Sequence, residues 1–115
     1  MNKGHINSGE VINLGKLRKN MDVGASHALI RTEEMEVIRM ALPQGKKMSE
    51  HSVDGQITIQ CLQGEIQLNI EDTVRNLRSE DWLFLEGKVP HSLTVKEDAV
   101  LLLTILFTDQ AEEPA

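Results

Sequence analysis

The chain has 115 residues, 40% of them hydrophobic, enough for one domain with its own core and too few for two. Its only aromatic residues are Trp82, Phe84 and Phe107, so the core must be aliphatic. Twelve basic residues against 18 acidic ones leave a net charge of −6, and an acidic surface with no basic cluster argues against nucleic acid as a partner. Residues 1–25 read as an N-terminal extension. Within it "EVINL", from residue 10, is expected as a strand that packs on the barrel or on a partner subunit. "GKLRKNMD", which follows, is expected as a loop or one helical turn.

From residue 26 strand signals dominate. "SHALIRT" and "EVIRMAL" read as strands around the turn "EEM", with Pro43 and Gly45 closing the second. "QITIQCL" sets Ile57, Ile59 and Cys61 on one face, and "GEIQLNI" sets Ile66, Leu68 and Ile70 on one face. The Gly-containing "LQGE" between them predicts a hairpin turn. "NIEDTV" predicts a second tight turn leading into "TVRNL". "DWLFLE", "HSLTV" and "AVLLLTILF" are further strands, the last two separated by "KED". "DQAEEPA", residues 109–115, is expected to be a flexible acidic tail. The pattern predicts an all-β antiparallel sandwich or barrel over 26–108.

The single Cys61 has no intrachain disulfide partner, which predicts a reducing, cytoplasmic setting. "AVLLLTILF" is about half the roughly 20 residues that a membrane helix needs, so no membrane partner is expected. It is also apolar on both parities, Val100 and Leu102 on one side and Leu101, Leu103 and Ile105 on the other. Both faces must therefore be covered. A second subunit or the N-terminal extension would do so, and a homodimer is expected.

Two motifs resemble those of the cupin superfamily over roughly residues 26–107. In the first, Gly45 is followed by five residues and then His51, and six residues separate Ile57 from Gly64. In the second, "EDWLFLEGKVPHSL" ends on a Pro-containing turn and His91. The resemblance implies a small double-stranded β-helix, the jelly-roll-type barrel of cupins. It also implies a four-ligand metal site, of which this chain keeps His51 and His91. The second histidine position is Val53 and the glutamate position is Ile57. The second motif departs too, with Glu80 at the usual leading glycine and Glu86 at the usual first proline.

By alternation, His51, Val53, Ile57, Ile59 and Cys61 should face the barrel interior, joined by His91, Leu93 and Val95 from a neighbouring strand and bordered by Met40. That describes an apolar pocket oriented by two imidazoles, suited to a small, partly hydrophobic ligand. On this reading the chain is a non-catalytic binding or sensing module with no tightly bound cofactor. The alternative is a metal-dependent dioxygenase or isomerase with zinc, iron, manganese or nickel on His51 and His91. Gln56, next to the lost glutamate position, would then be the further ligand. Cys61 has no basic neighbour to activate it and reads as a core residue.

Overall fold

A computed structural model describes residues 5–19 and 26–108. One short helix, α1 (Leu14–Lys19), precedes seven strands: β1 (Ser26–Arg31), β2 (Met35–Leu42), β3 (Lys47–His51), β4 (Ile57–Ile70), β5 (Thr73–Arg78), β6 (Trp82–Leu85) and β7 (His91–Leu106). All pairings are antiparallel.

The two long strands organise the molecule. β4 and β7 pair along their whole length, from Ile57↔Ile105 to Ile70↔His91. The first half of β4 also pairs with β6, and the second half of β7 with β2, which pairs in turn with β1. The second half of β4 pairs with β5, and the first half of β7 with β3. Two half-sheets result, β1-β2-β7-β4-β6 and β3-β7-β4-β5, sharing their two central strands. Ile57, Ile59, Cys61 and Leu101 from the first meet Ile66, Leu68, Leu77, Leu93 and Val95 from the second in one apolar core.

Two expected turns are absent. "LQGE" is not a hairpin turn, because β4 runs straight through it; the register against β7 shifts at Cys61/Gln63, Gln63/Glu65 and Glu65/Ile66 instead. "KED" likewise lies inside β7. The physical reason is a bulged corner. Inward side chains are odd-numbered before it (Ile57, Ile59, Cys61) and even-numbered after it (Ile66, Leu68), as an inserted residue requires. Gly64 makes the corner possible: its φ is +82°, and a Cβ there would overlap the carbonyl oxygen of Asp98. A bulge and a turn leave the same trace in sequence, a glycine and a change of parity. The β4–β5 connection is the tight turn expected, with Glu71 at φ 53° and Ile70 opposite Thr73.

In the N-terminal extension "EVINL" is not a strand. Val11 is 90% exposed, and the helical turn α1 follows. Asn13 caps α1, its Oδ1 accepting the Lys16 amide at 3.2 Å. Arg39 on β2 donates from Nε and Nη2 to the Leu17 carbonyl, at 3.0 and 2.8 Å, and the Ile6 amide donates to Leu29 of β1. The segment thus lies against the outer side of the larger half-sheet. There Leu29, Ala41, Leu62 and Val100 are buried although they are outside the central core. Part of the second face of "AVLLLTILF" is therefore covered by the chain's own N-terminus. The expected acidic tail, residues 109–115, lies outside the described residues.

Candidate functional site

The corner closes one end of the barrel, so the free ends of β4 and β7 define the other. At that mouth His51, the last residue of β3, stands in register with His91, the first of β7, and Ile70 flanks His91 on the far side. The imidazole rings converge, with centroids 4.5 Å apart and planes tilted by 55°. His91 is 6% exposed, whereas His51 is exposed. Ile70, opposite His91, and Val53, Val89 and Ile105 are half-buried and pack on the core.

Each ring is held by the chain just before it. His51 Nδ1 lies 3.1 Å from the Ser49 carbonyl oxygen, and His91 Nδ1 lies 3.0 Å from that of Val89. A carbonyl only accepts, so both Nδ1 atoms carry hydrogen and donate. In the neutral imidazoles this leaves both Nε2 atoms as acceptors. The acceptor stands two residues before the ring in both segments.

Of the residues expected in the pocket, His51, Val53 and His91 do gather at the mouth. Leu93 follows one row deeper, and Ile57 is buried on the opposite half-sheet. Ile59 and Cys61 lie deeper still, and Met40, opposite Leu101 on β2, packs on the same core. The barrel interior is thus filled at those depths, and the accessible part is the mouth. Cys61 is fully buried at the corner end, its Sγ donating to the Gln63 carbonyl at 3.4 Å. Burial pushes its thiol up from 9.0 to about 11, and the nearby carboxylates of Asp81 and Glu65 add to the rise. Burial and the raised pKa both oppose formation of the thiolate.

Gln56 is exposed, in the loop between β3 and β4. Among the described residues no group of three or more His, Cys, Asp or Glu side chains is placed to hold an ion. The positions that would complete a metal cupin's ligand set are the hydrocarbon side chains of Val53 and Ile57, so the donor set does not fit a resident three- or four-ligand metal. A groove of about 350 Å³ lies between Val53, Gly55, Ile105 and Phe107, and neither His51 nor His91 lines it. A wider polar cleft of about 600 Å³ lies at the corner end, lined by Gln63, Glu65, Arg78 and Asp98, and has no part of the imidazole pair.

One residue near the mouth escaped the reading of the sequence. Arg75 on β5 stands opposite Leu68, two residues before the buried Leu77, and so on the barrel-facing side of its strand. The alternation in "TVRNL" carried that signal, but an arginine in a short polar strand reads first as solvated surface.

No sequence-family model matches the chain, and no curated protein matches it. Solved structures do. A cupin superfamily protein from Desulfitobacterium hafniense superposes with a TM-score of 0.76 at 20% identity, over 92% of this chain and 97% of that one. A conserved protein of unknown function from Streptococcus pyogenes gives 0.75 at 18% identity, over 90% and 92%. An RmlC-like cupin from Shewanella frigidimarina gives 0.69 at 17% identity, over 89% and 95%. At these identities the likeness speaks for architecture and not for activity. With its bulged corner and shared central strands, and with these solved structures superposing over most of its length, this chain has the β-barrel fold of the cupin superfamily.

Proposed function

We propose that the chain is a non-catalytic binding module whose barrel mouth takes a small, partly apolar molecule. The observation that carries this reading is the imidazole pair itself. Two converging rings are each pinned through Nδ1, and among the described residues no carboxylate or thiol joins them in a group of three that could hold an ion. Such a site supplies two hydrogen-bonding points and an apolar wall, which is what orients a small ligand.

One feature favours the metal-dependent alternative. An imidazole whose Nδ1–H is held by a carbonyl is in the posture of a metal ligand, with Nε2 free. Zinc, iron, manganese or nickel on His51 and His91 would still need its remaining positions filled from solvent, and two neutral nitrogens make a weak and unselective site. Elemental analysis of the purified protein decides between the readings. Well under one transition-metal ion per chain is expected. About one ion per chain, lost in His51→Ala, would replace the binding module with the metal enzyme.

The same reading includes a homodimer. On the outer side of the larger half-sheet Trp82 and Phe84 are 61% and 45% exposed on its edge strand β6, and a second subunit would cover them.

A further inference from the structure

The register orders the inner face of the smaller half-sheet into rows. The row at the mouth is Thr73, Ile70, His91 and His51; the next is Arg75, Leu68, Leu93 and Met48. Arg75 is the one charged residue in these two rows. Its side chain is exposed, its Nη1 donates only to the Val74 carbonyl at 3.3 Å, and no carboxylate among the described residues pairs with it. An inward charge can serve simply to blunt a free edge, and β5 is an edge strand. That role is indifferent to sign, whereas in a chain of net charge −6 an unpaired guanidinium beside an apolar mouth is a local exception to the field.

Two strand spacings across and two residues along place the Cα atoms of Arg75 and His91 on the order of 12 Å apart. Both side chains are on the same face, and the isoleucine at position 70 lies between them in the mouth row. The gap suits a short aliphatic chain. We propose that the ligand is a small carboxylate: its anion pairs with the Arg75 fork, and its apolar body lies over Ile70 against the imidazole pair. This rests on the mouth being the binding site.

Hexanoate and its uncharged counterpart hexanamide test the idea, titrated while the ring resonances of His51 and His91 are followed by NMR. Both compounds should shift those resonances, with hexanoate binding about tenfold more tightly. Arg75→Gln, at an exposed position, should remove that advantage and leave hexanamide binding unchanged within about twofold, and added salt should weaken hexanoate alone. Equal binding of the two compounds to the unaltered protein, or an Arg75→Gln variant that keeps the preference, would overturn the carboxylate while leaving the mouth as a site. If neither compound moves the histidine resonances, the proposal falls together with the reading of the mouth on which it rests.

Discussion

Replacing Gly64 with alanine isolates the corner on which the barrel turns. Two terms oppose the substitution. The left-handed conformation at φ +82° costs an L-residue about 1–2 kcal/mol. A Cβ would also overlap the Asp98 carbonyl oxygen, which cannot retreat without disturbing the β4–β7 ladder; overpacking of this kind costs about 1–3 kcal/mol. Loss of glycine's freedom in the unfolded chain returns about 0.4–1 kcal/mol. The net is roughly 2–4 kcal/mol, a large share of the 5–15 kcal/mol typical of a domain. Gly45 supplies the control, since its φ is +89° but nothing lies within 4 Å of an added Cβ. Gly45→Ala should cost only about 1 kcal/mol. Urea unfolding followed by circular dichroism reads both. With a slope of about 1.5 kcal/mol per molar urea, the Gly64→Ala midpoint should fall by about 1–3 M and that of Gly45→Ala by less than 1 M. Equal midpoints for the two variants would refute the close approach at the corner.

Glu80, at the position where the resembled motif has glycine, sits at φ 78°, so Glu80→Gly should raise stability by about 0.5–1 kcal/mol in the same urea assay. Cys61 should resist a thiol reagent at pH 8 in the folded protein and react at once in denaturant; rapid labelling of the native protein would contradict its burial. Because its folded pKa of about 11 lies above the unfolded 9.0, the thiol's contribution to stability is complete below pH 9 and is lost as pH rises from there toward 11. Denaturation midpoints between pH 8 and 11 should therefore fall more steeply for the native chain than for Cys61→Ala. Light scattering should give a mass near twice 12.9 kDa, and Trp82→Lys should return it to one chain without loss of fold. A monomer at high protein concentration would remove the dimer and leave Trp82 and Phe84 to solvent.

The parts of the molecule legible in sequence were those governed by alternation within one strand. Ile57, Ile59 and Cys61 share one buried face and Ile66 and Leu68 another, and His91 and Leu93 point inward as their parity required. The convergence of His51 with His91 followed from the two motif positions, although the bulge between Met48 and His51 could have reversed it. What the pattern could not convey was continuity across a parity change, because the partner that forces the corner, Asp98, is distant in sequence. Depth was hidden too. Cys61 and His51 share a parity, but one belongs to the packed corner and the other to the open mouth. Arg75 is hard to read in sequence because an arginine in a short polar strand has the pattern of solvated surface, and its pairing with Leu68 fixes its inward direction.

The shared central strands also bear on how the barrel assembles. Both half-sheets are built on the same two long strands, so neither can persist while the other is unformed, and unfolding should be a single transition. The β4–β7 ladder closes loops of very unequal length: Ile70 and His91 are 21 positions apart (91 − 70), Ile57 and Ile105 are 48 apart (105 − 57). Chain entropy favours the shorter closure by about 0.7 kcal/mol, so pairing starts more readily at the Ile70–His91 end of the ladder and zips from there through the corner toward Ile57 and Ile105. The end of the barrel that carries the histidines is then also the end where the chain first finds its register. Substitutions at Ile70 or His91 should therefore slow the formation of the barrel.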